Sequence, residues 1–149
     1  LAAVLALPMA PPASGAELHG CFARTYSADH LAAHPDQRVT DMRLDLTVAG
    51  SNQFAGNGFA LDVKTRTLRE WHRAEGTCSG SGGERLCTVP CRGDSGFVVR
   101  AEASGSILID LERPFGEIAL TVCDGQPHAT LDSGLDDKRF RLHPVACGG

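Results

Sequence analysis

The chain has 149 residues, 42% of them hydrophobic, with 14 Lys and Arg against 18 Asp and Glu and a formal net charge of −4 at pH 7. That mild acidity argues against a general nucleic-acid binder, which needs a basic face, and an aromatic content of 5% with one Trp and one Tyr argues against a platform that stacks sugars or bases. Six Cys in a chain of this length read as a disulfide framework, which places the protein in an oxidising compartment.

At the start of the chain Leu1 to Met9 is apolar, Pro11 and Pro12 follow, and Ala13-Ser14-Gly15-Ala16 supplies the small residues of a signal-peptidase site with cleavage before Glu17. Residues 1–16 are therefore expected to be the distal part of a secretion signal, and residues 17–149 a single all-β domain, periplasmic or secreted. The apolar run is far shorter than the roughly 20 residues a spanning helix needs, so no membrane span is expected in the mature chain.

The rest of the chain is dominated by alternation with period two, the mark of half-buried strands. Strands are predicted at Cys21 to Thr25, Met42 to Val48, Phe59 to Val63, Leu68 to Trp71, Phe97 to Ala101, Ile107 to Leu111, Ile118 to Val122 and Phe140 to Leu142. Turn residues separate them at Gly50-Ser51-Asn52, Asn57-Gly58, Ser104-Gly105, Pro114-Phe115-Gly116 and Asp124-Gly125. About eight strands at close spacing suit a small antiparallel barrel or sandwich. Met42, Leu44, Leu46, Val48, Phe59, Leu61, Val63, Ile118, Leu120, Val122, Phe140 and Leu142 are the expected inward residues. Ser27 to His34, with an N-cap Ser, an early Asp and a stop at Pro35, predicts one short helix that plugs or flaps over one end.

Six cysteines allow 15 pairings. Sequence does not choose among them, and loop closure provides only a weak ranking. A Cys78–Cys87 bridge would tame the Ser/Gly-rich excursion between them, and Cys21–Cys147 would close nearly the whole domain, for a gain of ~4–5 kcal/mol in the chain-entropy model. Cys91 and Cys123 then remain. A zinc site using the three-residue spacer between Cys87 and Cys91 is the alternative, and export together with an even count favours disulfides.

Cys91-Arg92-Gly93-Asp94-Ser95-Gly96 resembles the nucleophile signature of trypsin-like serine proteases, and Ala32-Ala33-His34 resembles that family's general-base motif. The resemblance implies Ser95 as nucleophile, His34 as general base and Gly93 as an oxyanion-hole donor. The sequence departs from the pattern at Phe97, Val98 and Pro35, where the family has Gly, Pro and Cys, and the chain is too short for that family's double barrel. Gly93 to Gly96 is better read as a turn entering a strand.

His30 and His34 lie four apart on the predicted helix, so both rings could share a face. Leu31 stands where a zincin motif needs its Glu, and no metal or other cofactor is expected. Asp132, Asp136 and Asp137 lack the alternating spacing of a calcium loop. Lys64 to Arg73 is the basic stretch and contains Trp71. Read as two strands, it splits Lys64 and Arg66 from Arg69, Trp71 and Arg73, with Trp71 expected to anchor the core.

Cys87-Thr88-Val89-Pro90-Cys91-Arg92-Gly93, Gly96 to Arg100, and Asp137 to Leu142 with Cys147 resemble small exported Cys-containing β-proteins of Gram-negative bacteria. The resemblance implies export and a Cys-stapled β-fold, and carries no catalytic residue or ligand with it. The expected function is a non-enzymatic module that binds an envelope protein or a small ligand. Its surface is expected on the His30/His34 helix and the loop around Gly76 to Gly83, with Arg69, Trp71 and Arg73 as a second patch. A serine hydrolase using Ser95 and His34 is the alternative.

Overall fold

The structure is a computed structural model that describes residues 18–48, 57–124 and 129–148. The expected leader at 1–16 with its cleavage site, the turn at Gly50-Ser51-Asn52 and the Gly125 half of the Asp124-Gly125 turn lie outside the described residues.

Alternation of apolar and polar side chains curls the strands around one core. In chain order they are β1 (Cys21–Thr25), β2 (Val39–Asp45), β3 (Gly58–Thr65), β4 (His72–Ser79), β5 (Glu84–Thr88), β6 (Gly96–Ala101), β7 (Ile107–Asp110), β8 (Glu117–Leu120), β9 (Ala129–Asp132) and β10 (Arg139–Val145), with one helix, α1 (Ala28–Ala33), after β1. Eight of them close an antiparallel barrel in the order β1-β10-β7-β6-β5-β4-β3-β2, and β8 and β9 pair as a separate two-stranded sheet. Of the two architectures expected, the barrel is the one formed.

Eight strands leave an interior just wide enough for side chains to fill, and here they fill it. Met42, Leu44, Phe59, Leu61, Val63, Phe97, Val99, Ile107, Ile109, Phe140 and Leu142 are all at most 1% exposed. Phe59 and Phe97 meet edge to face, with ring centroids 5.2 Å apart, a preferred aromatic geometry. Ile118, Leu120 and Leu131 of the β8–β9 sheet join the same core. The β4–β5 pairing runs only from Ser79–Leu86 to Thr77–Thr88. Beyond it the Glu75 N–H donates to the Thr121 carbonyl at 3.1 Å, so the end of β8 takes up a partner role beside β4. Two glycines permit the crowding there. A Cβ at Gly76 would run into the Thr88 carbonyl oxygen, and one at Gly96 into that of Cys87.

Three disulfides staple this frame: Cys21–Cys147, Cys78–Cys87 and Cys91–Cys123, with no free cysteine among the described residues. The pairing is the one that loop closure ranks first, and it uses both Cys87 and Cys91, so neither thiolate remains for zinc. Such a framework suggests an oxidising, extracytoplasmic setting. Among the described residues no helix is long and apolar enough to cross a membrane.

Several expected details change. Val122 is 39% exposed rather than inward, because β8 ends at Leu120 and the chain then turns at Cys123, whose φ of 59° lets it reach Cys91. Val48 is only half-buried and lies beyond the end of β2. Leu68 to Trp71 is irregular, and the strand starts at His72. The expected loop from Gly76 to Gly83 shrinks to Gly80–Gly83, since Cys78 and Cys87 sit directly opposite each other on β4 and β5.

The helix is held from both ends. Ser27 Oγ accepts the His30 N–H at 3.1 Å as an N-cap. The Arg66 guanidinium donates to the Leu31 and His34 carbonyls at 2.7 and 3.1 Å, which a helix leaves open at its C-terminal end, and to the Gln37 carbonyl just beyond at 2.6 Å. At the same end of the barrel Arg38 bonds Asp132 and the fully buried Asp137, whose carboxylate also accepts the Arg38 and Val39 N–H groups.

Acid should loosen this end first. Asp110 is buried, which is the largest single influence and acts to raise its pKa, but Arg113, the Glu112 N–H and Arg139 together outweigh burial and hold it below the ordinary value. The Arg38 hydrogen bond lowers Asp132. A carboxylate with a lowered folded pKa stabilises the fold above its unfolded pKa, and that contribution is lost as pH falls through the folded value. The urea midpoint is therefore expected to drop on acidification below about pH 4, and Asp110→Asn should flatten part of that drop. A midpoint that rises between about pH 5 and pH 3 would contradict the assignment.

Candidate functional site

The outer face of β1 to β4 carries the chemistry, and the barrel register builds it. With Phe22, Met42, Leu44, Leu61, Val63 and Ala74 turned inward, their neighbours point out. Ala23, Arg43, Asp62 and Arg73 form one row of cross-strand partners, and Cys21, Asp45, Ala60 and Glu75 form the next. Ala23 and Ala60 are small, so the longer side chains around them frame a hollow of about 420 Å³. Arg43, Asp45, Asp62 and Arg73 line it, together with Val145 to Gly148 at the chain's end.

Charge on this face is divided unequally. Arg73 donates Nε and Nη2 to the two oxygens of Asp62, both at 2.8 Å, and lies 3.6 Å from Glu75. That fork-to-fork geometry is the strong form of an ion pair, and the Asp62 hydrogen bond pushes the Arg73 pKa up. Both Asp62 oxygens being taken, Arg43, its neighbour across β2 and β3, turns to Trp71. The Arg43 guanidinium sits 4.5 Å from the Trp71 ring centroid and the Lys64 ammonium 4.6 Å from it, within the range of a cation–π contact. Among the described residues neither Arg43 nor Lys64 forms an ion pair.

Trp71 is half-buried on the outside of the barrel and not a core anchor. Lys64 shares its face, contrary to the split expected from period two. The register explains this: Val63 pairs with His72, which puts position 71 opposite position 64. Counting parity straight through the irregular turn from Arg66 to Trp71 gives the wrong face. Arg66 is engaged with the carbonyls around α1, and Arg69 is exposed on that turn. Sequence reasoning also passed over Arg43. Its signal was present, as the polar residue between inward Met42 and Leu44.

The histidines and the serine are placed elsewhere. His30 and His34 stack, with centroids 4.2 Å apart and planes 18° from parallel. His30 Nε2 is 3.0 Å from Gln37 Oε1, and His34 Nδ1 is 2.8 Å from the His30 carbonyl. Ser95 is 3% exposed, and its Oγ accepts the Ala119 N–H at 2.7 Å. No hydrogen bond joins Ser95 to His34. The Ser95 bond and the Cys91–Cys123 bridge fasten the loop between β5 and β6 to the β8 segment. Cys21, Cys147 and Asp45 bring possible metal-ligating atoms within 4.8 Å of one another, but both sulfurs are in a disulfide, so no thiolate is available there.

Comparison of the chain with protein-family profiles, with curated proteins and with solved structures finds no match. The reading of the site therefore rests on its geometry.

Ser95→Ala tests what the hydroxyl does. Loss of the acceptor would leave the buried Ala119 N–H unsatisfied, so a destabilisation of about 1–3 kcal/mol in urea unfolding is expected, with no fluorophosphonate labelling of either protein. Labelling of the wild type that disappears in the variant would establish a serine hydrolase instead.

Proposed function

We propose that the protein is an exported, non-enzymatic binding module of the periplasm or the cell exterior, and that it takes an envelope protein or a small envelope ligand on the outer face of β1 to β4 around Trp71. The observation that carries this reading is the pair Arg43 and Lys64, exposed or half-exposed cations that form no ion pair among the described residues, both set on one aromatic ring, with Arg43 also lining the hollow. Arg38, Arg73, Arg113, Lys138, Arg139 and Arg141 have acidic partners, Arg66 and Arg85 donate to backbone carbonyls, and Trp71 is the one ring among the described residues that two cations share.

The filled interior favours an outer surface over a ligand chamber. Three disulfides and a closed sheet hold that surface without moving parts, which lowers the ordering cost of binding. The helix with His30 and His34 and the turn at Gly80–Gly83 are less favoured. The two imidazoles already contact each other and local acceptors, and the turn is too short to form a cleft. Arg73, two residues along β4 from Trp71, shares its face, and it is included in the proposed surface together with Arg69, exposed on the turn just before. The hydrolase alternative would require Ser95 to give up the Ala119 N–H and His34 to move.

Capture from a periplasmic extract with three forms of the protein separates the surfaces. A partner held by the wild type should also be held when the Gly80–Gly83 turn is shortened, and should be lost with Trp71→Ala. Loss on shortening the turn, with capture intact in Trp71→Ala, would move the site to the opposite end of β4.

A further inference from the structure

We propose that Arg43 and Lys64, held over Trp71, receive a single carboxylate from an acidic side chain of a polypeptide partner, whose chain lies in the adjoining hollow. This deepens the reading of the outer face given above and rests on it.

The two cations share the ring for a structural reason. They are outward residues of neighbouring strands, diagonal to each other in the β2–β3 register, in which Arg43 faces Asp62 and Lys64 faces Asp41. Asp41 Oδ1 accepts the Thr25 hydroxyl at 2.9 Å, and Asp62 is held by Arg73. Asp62 is thus neutralised by Arg73, Asp41 forms no ion pair with Lys64 among the described residues, and both cations contact the shared ring. A guanidinium held by stacking keeps its edge N–H groups free for the forked bond that a carboxylate accepts. The Lys64 ammonium on the same ring adds a second positive charge to the field that draws the anion.

The surroundings select the kind of anion. Asp41, Asp45, Asp62 and Glu75 lie on the same outer face as Arg43, Lys64 and Arg73, and on the adjoining turn exposed Glu70 stands next to exposed Arg69, so the face carries more carboxylates than cations. A polyanion such as a phosphorylated glycan would meet that excess with every repeat and be repelled. One carboxylate flanked by neutral or basic groups would not. The hollow beside Arg43 has room for a few side chains and offers both signs, with Asp45 as an acceptor and the Arg73 edge as a donor. Such a mixture fits backbone amides and carbonyls as well as a basic neighbour on the partner chain.

The protein's one tryptophan makes intrinsic fluorescence a report on this site alone. The probes are a blocked peptide, acetyl-Ala-Glu-Ala-Ala-amide, its Gln counterpart, and inorganic polyphosphate. The Glu peptide should change Trp71 emission saturably, with the Gln peptide about tenfold weaker, as expected for loss of charge-assisted bonds. Arg43→Gln combined with Lys64→Gln, both surface changes that leave the circular dichroism unaltered, should abolish the difference between the two peptides. Equal binding of the Glu and Gln peptides would overturn the inference, as would tighter binding of polyphosphate or no response to the Glu peptide at tens of millimolar. Each of those outcomes leaves the Trp71 face itself to be judged by partner capture, which does not depend on the charge of the probe.

Discussion

Strand β1 is paired along both edges, with β2 through Cys21–Asp45 to Thr25–Asp41 and with β10 through Cys21–Val145 to Ala23–His143. Closure at this seam is the constraint on which the rest depends. An open eight-stranded sheet would leave two hydrogen-bonding edges and an apolar face in water. The closed sheet has no such edges, and its apolar residues become a filled interior. The Cys21–Cys147 bridge locks the seam at a separation of 126 residues, the arrangement in which a crosslink removes the most freedom from the unfolded chain.

Closure also decides where chemistry can occur. Once every second residue of the barrel strands is committed to packing, polar side chains are sorted to the outside and to the two ends. At the end that carries α1, arginines join elements by ion pairs and carbonyl contacts: Arg38 to Asp132 and Asp137, Arg66 to the turns around α1, Arg113 and Arg139 to Asp110. On the β1–β4 face the same residue types are arranged with one acid too few in the right place. Asp62 serves Arg73, and Arg43 turns to an aromatic ring that already holds Lys64. Two cations sharing one ring is what distinguishes the Trp71 region from the remaining described surface.

The fold class and the helix were legible in the sequence because each has a short-range signature, while the cysteine pairing was only weakly indicated by loop closure. Met42 to Leu46 alternates without interruption, and Ser27 caps a run that Pro35 ends. Strands β4, β5 and β9 were not legible. In β4 the buried side chains are Ala74 and Cys78, with Gly76 between them, so no large apolar residue marks the inward side. In β9 only Leu131 is buried. Their strand state comes from pairing with the strand before, β4 on β3 and β9 on β8, rather than from their own apolar pattern. The site was half legible. Trp71, Arg69 and Arg73 stood out as a basic cluster, whereas the partnership of Trp71 with Arg43 and Lys64 depends on a register that the irregular turn after Thr65 conceals.

Proteolytic mapping of the unreduced protein by mass spectrometry tests the closure most directly, because only a β1–β10 seam brings the two ends of the domain together. The barrel described here predicts three crosslinked peptide pairs, Cys21 with Cys147, Cys78 with Cys87 and Cys91 with Cys123, and no alkylated thiol. Cys21 recovered in any other pairing, or as a free thiol beside free Cys147, would contradict the seam and with it the outer face built upon it.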